Sequence, residues 1–340
     1  MSYYKYLVKK VLTTLVSVFF VIVISFFITR ALPGDPVWLR LPPKATLQDY
    51  VRERKRLGLD KPIIYQFFVY MIDLLTGNWG YSLTIAEDSS VWSVINLYLP
   101  RTLEVLFISM FIAVFLGIKM GKISAKKANS FRDIVIKSIT YFILAIPGFI
   151  IVLFFIQIYF QIPFKLFPLF GYKNPVYPEP PSITNFRIID SFISGKWYLL
   201  FDYMWHLVIP ISAMSIVQMV IIIRYTRASI LETSEMDFIR VLKSKGLSKH
   251  KIMKKHVMKN SFPPIITASA MSFPLIIGGT IAVEISYHFV GLGFMFREAV
   301  RGSDYTIFIA IIFIFSLLVI CFNFIVDLII GYLDPRIRFE

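Results

Sequence analysis

The sequence predicts an all-α membrane protein with six transmembrane helices, and three observations support that prediction. Hydrophobic residues make up 57% of the 340 residues and charged residues only 17%, and the mean hydropathy is +0.69. Six segments are apolar over roughly the 20 residues that a helix needs to cross a bilayer. None of them alternates polar and apolar residues, so helices rather than barrel strands are the expected spanning form.

The six predicted spans are residues 11–29, 103–120, 138–160, 207–223, 264–283 and 306–332. The first is read as an uncleaved anchor, because its apolar run is long and no small-residue cleavage site follows it. Three consecutive spans contain helix-breaking residues: Pro147 and Gly148, then Pro210, then Pro274 with Gly278 and Gly279. Such breaks indicate either kinks that serve packing or a translocation path, where neighbouring groups satisfy the freed backbone.

Lysines and arginines give the predicted orientation. They cluster in residues 5–10, 122–132, 243–259 and 336–338, which six spans place on one side of the membrane. The positive-inside rule makes that side cytoplasmic, together with both termini. The net charge of +15 is therefore a topology signal, and no soluble basic module indicates nucleic-acid binding. A basic cluster at residues 52–56 breaks the rule, but long external segments translocate largely regardless of charge.

The connections divide a single membrane domain, residues 1–340, into its external and cytoplasmic parts. Residues 31–101 form a long extracytoplasmic segment, in which apolar residues from Ile63 to Leu75 recur at helical spacing and predict a helix that ends at Gly77. Residues 161–205 form a second extracytoplasmic loop, which is proline-rich and expected to be irregular.

The basic segment 232–262 is the most informative part of the chain. Its first half carries an apolar stripe at helical spacing, made of Phe238, Ile239, Val241 and Leu242. Gly246 allows the backbone to turn, and a similar stripe follows at Ile252, Met253, His256 and Val257. Charge alone fits an ordinary cytoplasmic loop, whereas the two stripes favour a helix–glycine–helix element that docks a partner.

Little in the sequence suggests chemistry within the chain. It contains no Gly-x-x-x-x-Gly-Lys-Ser/Thr phosphate loop, and its four histidines are scattered, so neither nucleotide nor metal binding is expected. Glu284, near the outer end of the fifth span, is a candidate for gating or cargo passage, because ionisable groups inside membranes are often functional. The alternative for this carboxylate is an interfacial ion pair with Arg297 or Arg301.

Several motifs occur together in a fixed order. They are residues 30–36 (RALPGDP), 57–62 (LGLDKP), 74–83 (LLTGNWGYSL), 99–103 (LPRTL), 245–248 (KGLS) with Asn260 and Pro264, and 333–338 (LDPRIR). In this order the chain resembles the membrane permease subunits of the dipeptide/oligopeptide and nickel branch of ATP-binding-cassette importers. It departs from the usual pattern at Arg240-Val241-Leu242, Val290 and Thr306.

The resemblance implies a type I importer permease that forms half of a translocation pathway for peptides in a bacterial cytoplasmic membrane. The partners would be a second permease, two ATPase subunits that carry ATP and Mg, an extracytoplasmic solute-binding protein and membrane lipid. The chain itself would be no enzyme and would bind no cofactor. The implied ATPase-coupling residues are Asp237, Phe238, Ile239, Val241, Leu242, Lys245, Gly246 and Leu247, and the path candidates are Pro147, Pro274, Gly278, Gly279 and Glu284.

Two other functions remain open from the sequence. A nickel or metal-chelate importer would have the same architecture with a different cargo. An ion-coupled secondary transporter normally shows inverted repeats and buried carboxylates, and neither is evident in the sequence.

Overall fold

A computed structural model describes residues 3–31, 37–38, 41, 44–86 and 89–333. Most of the motif at residues 30–36, nearly all of the motif at 333–338, and the basic residues Arg336 and Arg338 lie outside this part of the chain. Within it the fold is helical, apart from a single antiparallel bridge between Tyr81 and Ser90.

Four helices are long and apolar enough to cross a membrane by themselves. They are α1 (Tyr3–Ala31), α4 (Val91–Lys126), α8 (Trp197–Glu235) and α13 (Tyr305–Leu333). With 36 and 39 residues, α4 and α8 would be about 54 and 58 Å long. They extend well beyond the roughly 30 Å of hydrocarbon, so the predicted boundaries at residues 101 and 205 cut through continuous helices.

The third and fifth predicted spans are bent pairs rather than single helices. α5 (Phe131–Leu144) and α6 (Gly148–Gln161) meet at 103°, and α10 (Lys249–Met271) and α11 (Phe273–Ser286) meet at 40°. Pro147 explains the sharper bend, because proline lacks an N–H and disfavours helical backbone at the residue before it. The number of crossings is six, as predicted, when each bent pair counts as one crossing. The bend of the third span lies at the predicted break, Pro147 and Gly148, and the bend of the fifth lies just before Pro274.

Shorter helices occupy the connections: α2 (Leu47–Arg56), α3 (Ile63–Thr76), α7 (Arg187–Ile193), α9 (Asp237–Ser244) and α12 (Leu292–Arg301). The predicted helix that ends at Gly77 is confirmed as α3, and Gly77 has the left-handed φ of +79° that favours glycine after a helix. Residues 161–205 are more ordered than predicted, because Asp190 accepts hydrogen bonds from the backbone N–H groups of Thr184 and Asn185 at 2.8 and 3.0 Å.

The centre of the bundle is the pair α4 and α8. A Cβ atom added at Gly117 would lie 2.8 Å from Ile222 Cβ, and one added at Gly121 would lie 2.6 Å from Thr226 Cβ. These glycines, spaced four residues apart, let the two backbones approach as small residues do in membrane helix pairs. α1 packs antiparallel to α13, with Lys10 Nζ 2.8 Å from Asp327 Oδ2.

The bundle has two ends that differ in chemistry. Residues 232–262 are called the coupling segment here, after their predicted role. At the end of the bundle where they lie, the C-terminal parts of α4 and α8 meet α9 and the start of α10 around a small aliphatic cluster. At the opposite end, called the loop end here, the described residues of segments 31–101 and 161–205 meet α11, α12 and the start of α13. There the fully buried Asp304 accepts from Ser82 Oγ at 2.6 Å and from the N–H groups of Leu83 and Thr84 at 2.8 and 3.1 Å.

Candidate functional site

The turn between α9 and α10 is built as the sequence predicts. Gly246 has a φ of +75°, and the N–H of Leu247 donates to the carbonyl of Leu242 at 3.3 Å. This is a Schellman ending, in which the side chains of Leu242 and Leu247 pack against the same cluster. Ser248 then begins α10, because its Oγ accepts from the N–H of Lys251 at 3.3 Å.

The apolar stripe of α9 is divided between two faces. Ile239 is only 2% exposed and belongs to a cluster with Ala125, Ile230, Ile252 and Val257. Met236, Phe238 and Val241 are 43%, 36% and 53% exposed. The sequence assigned Ile239, Leu242 and Leu247 to a partner contact together with Phe238 and Val241. In the structure Ile239 is buried against its own bundle, and Leu242 and Leu247 pack partly against the same cluster.

The remaining predicted coupling residues are polar and exposed. Asp237 pairs with Arg240 at 3.5 Å on the surface, where such pairs contribute little to stability. Lys245 and Gly246 are also exposed. The exposed side of α9 therefore offers an apolar patch, defined by Met236, Phe238 and Val241, surrounded by charge.

Hydroxyl groups attach the segment to the bundle. Ser261 Oγ donates to the carbonyl of Ser229 at 3.1 Å and lies 3.0 Å from Thr233 Oγ1, and Ser229 Oγ donates to the carbonyl of Ser261 at 3.2 Å. The first turns of α10 include a π-helical stretch at Ile252–Val257. Stretches of this kind occur frequently at functional sites.

Nearby, one buried carboxylate connects α5 to α8. Arg227 donates to Asp133 through Nε at 2.7 Å and through Nη2 at 3.0 Å, and the N–H of Asn129 donates to Asp133 at 2.8 Å. Such two-pronged ion pairs fix geometry as well as charge. The coupling segment itself takes no part in these bonds.

A cleft of about 410 Å³ lies between α6, α8 and α11. Gly148, Gly278 and Gly279 line it, and a Cβ atom added at Gly278 or Gly279 would meet no neighbour within 4 Å. Pro147 precedes α6 at the bend, and Pro274 lies in the first turn of α11, where its missing N–H leaves no bond unmade. The structure thus gathers the predicted breaks of the third and fifth spans at one cleft.

Sequence reasoning missed Gln218, which lines the same cleft. Its side chain is 2% exposed, and Oε1 has no hydrogen-bond partner among the described residues. An amide inside an apolar span was the available signal, because a buried polar group costs free energy unless it is paired. Gln218 is therefore a candidate polar contact for a ligand in the cleft.

Glu284 does not line this cleft. It is fully buried at the loop end and accepts from Thr102 Oγ1 at 2.7 Å and from the N–H groups of Gly293 and Phe294 at 2.7 and 3.0 Å. A Cβ atom added at Gly291 would lie 2.6 Å from its Oε1. The alternative of an interfacial ion pair is wrong for the described residues, and the carboxylate instead caps the N-terminus of α12.

Outside the spans, Glu179 of the loop at residues 161–196 pairs with the buried Arg187. The two side chains form an ion pair, and Tyr172 Oη donates to Glu179 at 2.8 Å. Partial burial raises the pKa of Glu179, but Arg187, Tyr172, Arg101 and Lys173 outweigh it, so the pKa lies below its ordinary value. Glu179 therefore remains ionised near neutral pH.

Comparisons with known proteins cover the whole architecture. Residues 113–339 match the family described as binding-protein-dependent transport system inner membrane component. Residues 3–106 match the N-terminal region described for the membrane component of the same kind of system.

Similar proteins extend over nearly the full chain. A dipeptide transport system permease protein of Alkalihalophilus pseudofirmus is 32% identical over 93% of this chain and 94% of its own. An oligopeptide transport system permease protein of Bacillus subtilis is 28% identical over 98% and 99%. A chain of the methionine ABC transporter, solved in inward-facing conformations, has a TM-score of 0.52 at 16% identity. The structural match covers 69% of this chain and 93% of the transporter chain, which indicates a shared fold.

Proposed function

Because this chain belongs to the family of binding-protein-dependent transport system inner membrane components, we propose that it is the permease subunit of an ATP-driven peptide importer. It forms one half of the translocation pathway, and its cargo is a dipeptide or oligopeptide, as the names of its relatives suggest. ATP and Mg are bound by partner ATPase subunits rather than by this chain.

The observation that carries the proposal is the division of the α9 stripe. Ile239 holds the segment to the bundle, while Met236, Phe238 and Val241 leave an apolar patch on a basic, exposed surface. A few apolar anchors of this kind dominate a helix-in-groove contact. In this proposal the patch enters a groove on an ATPase, Asp237, Lys245 and Gly246 lie at its rim, and Leu242 with Leu247 supports it from below.

The cleft supplies the pathway half of the proposal. Its glycines are open, and neighbouring apolar side chains such as Phe149 and Leu275 are 56% and 64% exposed. A second, similar permease facing this surface would enclose a path lined by Gly278 and Gly279, with Gln218 as a polar contact. Pro147 and Pro274 would shape this path from the starts of α6 and α11 rather than line it. Glu284 would then act from a distance, by positioning α12 at the external mouth.

The proposed topology places both termini and segment 232–262 in the cytoplasm of a bacterial cell, and segments 31–101 and 161–205 outside. A solute-binding protein would dock on these external segments. Cysteines introduced at Lys126 or Lys254 should react with impermeant thiol reagents only from inside, and one at Lys173 only from outside. Labelling of Lys173→Cys from the cytoplasm contradicts this orientation.

The main test compares two phenylalanines at the same end of the bundle. Phe238→Ala should weaken ATPase docking by about 2–4 kcal/mol, the range for truncating an anchoring side chain. Phe131, which is 80% exposed at the start of α5, provides the matched control. Copurification of the ATPases and ATP-dependent dipeptide uptake should fall for Phe238→Ala and persist for Phe131→Ala. If Phe238→Ala retains both, the α9 patch is not the docking site.

A further inference from the structure

The short apolar helix α3 lies against the far half of α1 and runs antiparallel to it. Arg30 donates to Gln66 at 2.8 Å, and four residues further along α3 the hydroxyl of Tyr70 donates to Ser25 at 3.1 Å. Leu74 packs in one cluster with Ile22, so the contacts of α3 extend along α1 from Arg30 to Ile22. Eight residues along α1 correspond to about 12 Å. Because α1 spans the membrane, α3 descends from the membrane surface into the apolar layer and turns back at Gly77.

One face of α3 is largely uncovered by the residues that the structure describes. Tyr65, Phe68, Val69 and Ile72, at positions i, i+3, i+4 and i+7, are 54%, 51%, 38% and 55% exposed. On the opposite side, Phe67 packs against Phe26 with ring centroids 5.4 Å apart. The exposed stripe therefore lies at the depth of lipid acyl chains.

A pocket of about 380 Å³ opens where this stripe reaches the surface. Tyr65 and Val69 belong to both the stripe and the pocket lining. Four cationic residues also line the pocket: Arg30, Lys55, Arg56 and Lys61.

Within the part of the chain that the structure describes, the positive charge of this pocket is poorly balanced. Asp73 is the one acidic residue among the described lining residues. Arg56 is paired with Glu53 at 2.6 Å, but Lys55 and Lys61 contact no carboxylate within the described ranges. These cations include part of the basic cluster that breaks the positive-inside rule, so the proposed function leaves them unexplained.

We propose that this pocket binds the phosphate of an anionic phospholipid whose acyl chains lie along Tyr65, Phe68, Val69 and Ile72. Arg30, Lys55 and Lys61 supply the charge, and Gln66 holds the Arg30 guanidinium at the level of the headgroup. Basic pockets next to membrane helices are a known form of headgroup recognition. The site is independent of the peptide-importer proposal, and only its assignment to the external leaflet depends on the proposed orientation.

The apolar stripe favours a lipid over the other anions that could enter the pocket. A free phosphate would use the cations and leave the stripe uncovered. An acidic protein surface would meet the cations above the membrane but could not reach Ile72, which lies about two helical turns deeper along α3 than Tyr65. Only a ligand with a charged head and a long apolar tail matches both parts.

The test measures lipid binding to the full chain, copurified with its partner subunits and delipidated in a mild detergent. Native mass spectrometry would titrate dioleoylphosphatidylglycerol, with dioleoylphosphatidylcholine as the uncharged comparison and glycerol phosphate as a soluble competitor. The variant is Lys55→Gln/Lys61→Gln. Its matched control is Arg52→Gln/Arg54→Gln, which removes the same charge from the same segment at positions that do not line the pocket.

We expect the wild type and the control to bind phosphatidylglycerol alike, and the lysine variant to bind it at least about tenfold more weakly. Glycerol phosphate should compete poorly, because it lacks the acyl chains. Equal binding by all three proteins, an equal loss in both variants, or full competition by glycerol phosphate would each overturn the proposal. The proposal would also be overturned if the Lys55→Gln/Lys61→Gln variant bound lipid as the wild type does but no longer docked the solute-binding protein.

Discussion

The loop end of the bundle and the coupling segment at the opposite end are held by different interactions. At the loop end, fully buried carboxylates receive several hydrogen bonds each, as Glu284 does from Thr102, Gly293 and Phe294, and Asp304 from Ser82 and its neighbours. At the other end, the coupling segment is held by one small aliphatic cluster and a few hydroxyl contacts. Its own ion pair, Asp237 with Arg240, is 93% and 79% exposed.

This contrast suggests a division of mechanical roles. A buried carboxylate with several donors is directional, and losing any partner leaves an expensive unpaired group. An aliphatic cluster is non-directional and tolerates small shifts of the segment. We infer that the loop end keeps the helices around it in place, while the coupling segment, which takes no part in the Asp133–Arg227 ion pair at its own end, is free to move as a partner binds.

The largest expected effect is at Glu284. Glu284→Ala removes the acceptor of the Thr102 hydroxyl proton and of two backbone N–H groups in a buried site, which should cost about 3–5 kcal/mol of stability. Thermal unfolding of the detergent-solubilised protein would measure it. The control is Glu298→Ala, which removes a partly exposed carboxylate paired only with Arg297 on the same α12 and should change stability by less than about 1 kcal/mol. Equal effects would mean that the loop end is not held by its buried carboxylates.

Ile239→Ala should have the next largest effect, because it removes one member of a five-residue cluster. We expect a loss of about 2–3 kcal/mol, concentrated in the coupling segment. Hydrogen exchange of residues 237–257 should rise, with little change around Glu284. Val241→Ala, on the exposed side of the same helix, should leave exchange unchanged and weaken ATPase binding instead. Faster exchange at both ends after Ile239→Ala would show that the ends are mechanically coupled.

Two glycines are compared, Gly246 in the coupling turn and Gly278 at the cleft. The first tests whether the turn depends on a left-handed backbone, and the second tests whether the cleft is the path. Gly246→Ala forces a left-handed φ of +75° on a residue with a side chain, at a cost of about 1 kcal/mol. Gly278→Ala places its methyl group in open space at the cleft, so stability should hardly change while peptide uptake falls. If Gly246→Ala couples ATP hydrolysis to uptake normally, the turn does not require glycine. Normal uptake by Gly278→Ala would argue against the cleft as the path.

The smallest expected effect is a pH dependence of the external loop. Because the folded state lowers the pKa of Glu179, its contribution to stability is complete above the ordinary carboxyl pKa and is lost as the pH falls through the lowered value. Protease sensitivity of residues 161–196 should therefore rise only in acid below about pH 4. Glu179→Gln should remove this pH dependence while Glu298→Gln retains it. A transition near neutral pH in the wild type would point to another group.

Local features of this chain were predictable because their causes lie within a few residues. Gly77 and Gly246 end helices, and Pro147 breaks one. Apolar runs of about 20 residues identify the spans, although a run cannot reveal a 103° bend between two helices. Nor could spacing show which side of the α9 stripe faces the bundle, since Phe238 and Ile239 are both apolar and adjacent.

The sequence by itself determined the helical membrane class, the number of crossings and the position of the coupling turn, because hydrophobicity, proline and glycine act locally. Only the tertiary structure decided that Glu284 caps α12 with Thr102, 182 positions away, rather than pairing with an arginine. The tertiary structure alone likewise brought the cleft glycines together and buried Ile239. The physical reason is that the partner of a buried polar or apolar group is chosen by packing between distant segments, and composition and periodicity carry no record of that choice.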